Sequence, residues 1–175
     1  MRARRILVFT TIALLVVIAD QWTKLLVRKH LGAPRVYWRG LLTVVHTENS
    51  GAFLSLGANL PEAIRTLIFG GFVSVMLVVF TIAVLRGSIL RLSDTVAAAA
   101  IIGGGFGNLI DRVLRAGRVT DFLYLEAGPL HTGVFNVADM AITCGVLWLF
   151  VSSFRKSGNR EPSPPRRGGE GGEGG

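Results

Sequence analysis

The chain has 175 residues, of which 50% are hydrophobic and only 17% charged, and its mean hydropathy is +0.52. Soluble domains carry about a quarter charged residues, so this composition excludes an ordinary soluble globule and fits a small polytopic membrane protein. A single cysteine, Cys144, excludes a disulfide framework; the formal charge of +8 sits on cations flanking apolar runs, which suits anionic membrane lipids and not nucleic acid.

Arg2, Arg4 and Arg5 precede an apolar run from Ile6 to Ala19, which is followed by Asp20-Gln21-Trp22-Thr23-Lys24. Val17 and Ala19 offer a signal-peptide reading, but no polar region precedes them and apolar residues resume at Leu25. A retained span over about residues 6–26 is expected, because it reaches the roughly 20 residues a bilayer requires. From Arg28 to Leu60 the sequence becomes shorter-ranged and glycine-punctuated. Val36-Tyr37-Trp38 and Leu41 to Val45 are β-branched and aromatic runs bounded by Gly32, Pro34, Gly40 and Gly51, so two short strands are predicted in an outer insert of about residues 28–60. An irregular interfacial loop with Tyr37 and Trp38 at the headgroups is the alternative.

Pro61-Glu62 suits the first turn of a second span over about residues 64–85. A short basic connection from Arg86 to Arg91 follows, and Ser93-Asp94 offers an N-cap for a third span over about residues 94–111. A second extramembrane segment, Arg112 to Val134, leads to a fourth span over about residues 136–154. Residues 158–175 are rich in Gly, Pro, Arg and Glu and are expected to be a disordered cytoplasmic tail to a single membrane-embedded domain, residues 1–157. The expected fold class is an all-α membrane protein with four transmembrane helices and a small β-rich extracytoplasmic insert between the first two. Arg2, Arg4, Arg5, Arg86, Arg91, Arg155 and Lys156 crowd one side in short segments, which places both termini in the cytoplasm.

This topology brings Asp20, Lys24, Asn49, Asp111, Asp121 and Asp139 to the outer face together. Ionisable groups at membrane depth are costly and face a bundle interior or a watery cavity, so their common depth argues for one shared site. Asp20 and Lys24 are four apart, Asn108, Asp111 and Arg112 lie within one turn, and Asn136 and Asp139 are three apart, so each helix turns one polar patch inward. Asp20 with Lys24, and Asp111 with Arg112, are read equally well as structural ion pairs. Asp121 and Asp139 have no basic residue within a turn of sequence. Singly they are a loop carboxylate and a helix N-terminal acid; brought together in a half-dry site they would share a proton and supply one general acid and one general base.

Other chemistries find little support. Ser55 and Ser74 have no nucleophile-activating partner in sequence, His30, His46 and His131 make no zinc-helix pattern, and Gly103-Gly104-Gly105-Phe106-Gly107 lacks the Gly-Lys-Ser/Thr of a phosphate loop. These glycines are read instead as close helix packing.

Five segments together resemble the bacterial lipoprotein signal peptidases, signal peptidase II: Asp20 to Lys24, Asn49-Ser50-Gly51-Ala52-Phe53, Gly107-Asn108-Leu109-Ile110-Asp111-Arg112, Val119-Thr120-Asp121-Phe122 and Phe135-Asn136-Val137-Ala138-Asp139. The resemblance runs in order over residues 6 to 154, with Phe53 departing from an alanine common in the family. It implies an aspartic endopeptidase of the bacterial cytoplasmic (inner) membrane. Such enzymes remove signal peptides from prolipoproteins by cutting before a diacylglyceryl-modified cysteine. By motif position the catalytic pair is Asp121 and Asp139; Asp20, Lys24, Asn49, Asn108, Arg112 and Asn136 match positions that bind substrate or support the site, and Asp111 is structural. No cofactor and no metal are expected, the partners are lipid-modified prolipoproteins and membrane lipids, and a monomer is expected. The alternatives are a noncatalytic lipoprotein-binding membrane protein and a small ion-binding transporter; the transporter is disfavoured by spans that are clean at mid-depth.

Overall fold

The computed structural model describes residues 2–51, 60–86 and 91–157. The tail at 158–175, the end of the outer insert at 52–59 and the connection at 87–90, for which a disordered tail, the last part of the insert and a short basic connection were expected, lie outside the described residues. In chain order the elements are α1 (Arg2–His30), β1 (Arg35–Tyr37), β2 (Leu42–Asn49), α2 (Glu62–Arg65), α3 (Val73–Arg86), α4 (Leu92–Leu114), β3 (Val119–Ala127), β4 (Leu130–His131) and α5 (Val137–Ser157). A π-helical stretch, Thr66–Phe72, joins α2 to α3.

Among the described residues three helices are long and apolar enough to cross a bilayer: Ala3–His30, Leu92–Leu114 and Val137–Phe154; the apolar run Gly70–Arg86 is shorter. Their outer faces leave Leu15, Ile18 and Trp22 of α1 and Leu147, Phe150 and Phe154 of α5 exposed. Exposing that much apolar surface to water would be prohibitive at about 25 cal/mol per Å², whereas hydrocarbon accepts it without cost. The chain is an integral membrane protein.

α4 is the central helix, and its glycines explain how. Three consecutive residues face three different neighbours. A Cβ on Gly103 would lie 2.7 Å from Ala13 O of α1, one on Gly104 2.5 Å from Ala138 O of α5, and one on Gly105 2.5 Å from Leu77 Cδ2 of α3. Small residues let helix backbones approach where lipid removes the hydrophobic drive to associate. Gly107 against Asp20 and Gly103 against Ala13 set α1 parallel to α4; Gly104 against Ala138 and Gly145 against Ala97 set α5 antiparallel. The C-terminal ends of α1 and α4 and the N-terminal end of α5 therefore meet. At the opposite end Phe9, Val84, Ala98, Ala99 and Ile102 form the apolar core.

The start of α4 differs from expectation. Ser93 and Asp94 lie inside the helix, whose cap position is Arg91. Asp94 is occupied elsewhere: its Oδ1 accepts Ser152 Oγ of α5 at 2.7 Å. The other end of α4 closes with Gly117 N–H donating to Arg112 O at 2.8 Å, which puts Ala116 in the left-handed region (φ 51°). That turn throws the chain directly into β3.

The sheet is antiparallel in the order β1-β2-β3-β4. The insert thus supplies only half of it; β3 and β4 come from the segment between α4 and α5. Between β2 and β3 the register changes once: Val44 opposes Leu123, but Thr47 opposes Asp121 and Asn49 opposes Val119. One extra residue on β2 makes this a bulge, the device that re-aims side chains beside functional sites. Without it His46 would oppose Asp121, with Glu48 on the same face. With it Asn49 shares the face of Asp121, and Glu48 turns to the other face, where it pairs with Arg118 at 2.6 Å.

Candidate active site

The N-terminus of α5 needs partners for its first N–H groups, and three polar side chains supply them. Asn136 Oδ1 accepts the Asp139 N–H at 3.0 Å while Asp139 Oδ2 accepts the Asn136 N–H at 3.2 Å, a reciprocal capping box. Asp20 Oδ1, from α1, accepts the Ala138 N–H at 3.0 Å. Asp20 also pairs with Lys24 at 2.8 Å, and Lys24 reaches Asp111 of α4 at 3.2 Å; all three are fully buried. Asp111 is a hub as well: it lies 3.7 Å from Arg28 and 3.4 Å from Arg115, and accepts the Thr120 N–H at 3.0 Å. The helix ends and β3 are locked together by this one set of charges.

Above it stand Asp121 and Asp139. Asp121 lies on β3, which also bridges back to Phe135 through the Leu123 and Phe135 backbones at 2.8 Å; that bridge holds Asn136 against the strand. Three asparagines then face the two carboxylates, and each has its amide direction dictated by a group that can only donate. The Gly51 N–H, the Asp139 N–H and the Lys24 ammonium take Asn49 Oδ1, Asn136 Oδ1 and Asn108 Oδ1, at 2.9, 3.0 and 2.9 Å. The amide nitrogens are left for the aspartates. Asn49 and Asn136 donate to the two oxygens of Asp121 at 2.9 and 2.6 Å, and Asn108 donates to Asp139 Oδ1 at 2.9 Å.

Asp121 is almost wholly buried, whereas Asp139 is half-buried. Burial, opposed by the two asparagine donors and assisted by the nearby charge of Asp139, lifts the Asp121 carboxyl to about 6 from an ordinary 3.8. A carboxyl held there exchanges its proton near neutral pH, which suits acid–base work.

All eight site residues expected from sequence converge here: Asp20, Lys24, Asn49, Asn108, Arg112, Asp121, Asn136 and Asp139. One expected pairing changes. Asp111 turns to Lys24, Arg28 and Arg115, while Arg112 points the other way and donates to Gly51 O at 2.9 Å, tying α4 to the end of β2. Successive residues on a helix diverge by about 100°, so the two could not share a face. Sequence reasoning did not single out Gln21, which spans Asp20 and Gly107 O, or Thr120, whose hydroxyl accepts from Arg28 at 3.1 Å. Both lie inside the motif segments that carry Asp20 and Asp121.

Among the described residues no three His, Cys, Asp or Glu side chains gather as a metal site. A cavity of about 440 Å³ between α4 and α5, lined by Val96, Ala97, Ala100, Cys144 and Trp148, holds none of these polar groups.

The family described as signal peptidase (SPase) II matches residues 12–155. The chain belongs to that family. Relatives include the lipoprotein signal peptidases of Syntrophus aciditrophicus (strain SB), 31% identical over 86% of this chain and 94% of the relative, and of Tolumonas auensis, 34% identical over 83% and 88%. A solved structure titled as a bacterial membrane enzyme at 2.3 Å resolution superposes with a TM-score of 0.77 at 25% identity, over 89% of this chain and 93% of that one. The matched stretch spans most of the length of these relatives.

Proposed function

We propose that this signal peptidase II family member removes signal peptides from diacylglyceryl-modified prolipoproteins, cutting before the lipidated cysteine, with Asp121 and Asp139 as the reacting pair. The observation that carries the assignment is Asn136, which donates to Asp121 and caps Asp139 with the same side chain. It sets both carboxylates in one place at the mouth of the bundle.

The dyad holds one proton between two carboxylates. The ionised member takes a proton from water as the water oxygen attacks the scissile carbonyl carbon, and the protonated member gives its proton to the carbonyl oxygen. The resulting tetrahedral diol collapses: the proton taken from water passes to the amide nitrogen, one diol hydroxyl returns its proton to the other, now ionised, aspartate as the C=O re-forms, the C–N bond breaks, and the carboxyl product and free amine leave the dyad with its single proton restored. Asn49, Asn108 and Asn136 hold the carboxylates in register. Arg112, anchored to Gly51 O, faces the same space and is placed to bind the extended substrate backbone. The acyl chains of the substrate remain in hydrocarbon between helices.

In the bilayer, Glu62 to Arg86 completes a four-span frame with the π-helical stretch inside it. The termini are cytoplasmic, the dyad lies near the extracytoplasmic face of the bacterial inner membrane, the sheet sits above it as a platform, and the unit works as a monomer. The test is the intact mass of both products after incubation of purified protein with a diacylglyceryl-modified prolipoprotein. A lipidated cysteine with a free amine and a signal peptide with a free carboxylate are expected; binding without either product would instead indicate a noncatalytic lipoprotein-binding protein.

A further inference from the structure

The Lys24 ammonium has three donors and no acceptor. Each donor has its own oxygen: Asp20 Oδ2 at 2.8 Å, Asn108 Oδ1 at 2.9 Å and Asp111 Oδ2 at 3.2 Å. With all three committed and the side chain fully buried, Lys24 has no proton to offer a substrate. It does determine which way round Asn108 stands.

Asn108 Oδ1 accepts from Lys24 and, at 3.1 Å, from Asn136 Nδ2, which leaves Asn108 Nδ2 for Asp139 Oδ1 at 2.9 Å. Reversing the amide would set an NH2 against an ammonium and a carbonyl against a carboxylate. Of the two donors on Asn108 Oδ1 the ammonium is the charged and therefore stronger one, and it polarises the amide it holds. Its charge thus reaches Asp139 through a neutral group. A direct ion pair would instead clamp Asp139 in one protonation state, which a carboxylate that must exchange a proton cannot tolerate.

We propose that Lys24 is a positioning residue for the dyad: acting through Asn108, it fixes the direction from which Asp139 is hydrogen-bonded, and with it the face of that carboxylate presented to water. This rests on the dyad reading above. The rival role is charge balance alone, since Lys24 neutralises Asp20 and Asp111. The charged groups around it are Asp20, Asp111, Asp121, Asp139, Arg28, Arg112 and Arg115.

Asp20→Asn with Lys24→Met separates the two roles. It removes one charge of each sign, leaves Asp111 with Arg28, Arg115 and the Thr120 N–H, and keeps an oxygen at position 20 for the Ala138 N–H. The full-length purified double variant is assayed on diacylglyceryl-modified prolipoprotein from about pH 5 to pH 8 beside the parent, Asp121→Asn and Asp139→Asn, with thermal melts of each. Losing one charge-assisted hydrogen bond predicts a kcat lower by about tenfold to a hundredfold with KM nearly unchanged. The acidic limb of the pH profile is expected to move to higher pH, because Asn108, no longer held by the ammonium, donates less firmly to the ionised Asp139. A folded double variant with parental kcat and pH profile would overturn the proposal. Should it fail to fold, Asn108→Asp decides: it keeps an acceptor for Lys24 but turns an oxygen toward Asp139, so a comparable loss of kcat is expected and parental kcat would overturn the proposal. Activity in Asp121→Asn or Asp139→Asn would sink the dyad reading instead, and the two failures are distinguishable.

Discussion

Asn136 donates to Asp121 Oδ1 at 2.6 Å through Nδ2 while its Oδ1 caps the Asp139 N–H at 3.0 Å. One side chain therefore holds Asp121 and caps α5 at once, and substitution separates the two contacts. Asn136→Ser keeps a good cap but has no amide to reach Asp121. A stability loss of about 1 to 3 kcal/mol is expected from the buried acceptors left without the amide, with kcat lower by about tenfold or more. Asn136→Ala should lose both, with a further cost of about 1 to 2 kcal/mol. Thermal unfolding in detergent and initial cleavage rates check the pair.

The raised Asp121 carboxyl makes a prediction about stability. Between its ordinary 3.8 and the folded value of about 6, the folded protein holds a proton that the unfolded chain releases. Its contribution is fully present below about pH 4 and lost as pH rises through about 6. Asp121→Asn has no such titration, so relative to the parent it should gain stability from pH 4 to pH 7. Melting temperatures of the two proteins across that range measure the trend, and parallel curves would refute it.

Gly104 and Gly105 differ in what surrounds them. A Cβ at 104 meets the Ala138 carbonyl, which is backbone; a Cβ at 105 meets the end of the Leu77 side chain, which can rotate away. Gly104→Ala is expected to cost about 1 to 3 kcal/mol through overpacking and to lower activity by moving the start of α5. Gly105→Ala should cost less than half of that and leave the rate unchanged. Comparing melts and rates of the two variants tests whether α4 positions the site as described.

The polar residues were legible in the sequence because membrane depth makes them expensive, so Asp20, Lys24, Asn108 and Asp139 announced one another through helical spacing. The apolar runs announced α1, α4 and α5, and the β-branched runs at Val36 and Leu41 announced β1 and β2. β3 was not read as a strand: Val119 to Phe122 are buried in succession, so the period of two vanishes. The bulge between Val44 and Thr47 was equally invisible, although it decides that Asn49 and not Glu48 accompanies Asp121. Register is a pairwise property of two strands far apart in sequence. The π-helical stretch at Thr66–Phe72 left no mark either, since Gly70 and Gly71 permit it without requiring it.

The central claim is that Asp121 and Asp139 perform the hydrolysis together, and cleavage of a diacylglyceryl-modified prolipoprotein by purified Asp121→Asn and Asp139→Asn tests it most directly. Each variant should fold and bind substrate yet lose at least a hundredfold to about ten-thousandfold in rate, the share that a positioned acid or base supplies. Cleavage at the parental rate by either folded variant would contradict the account.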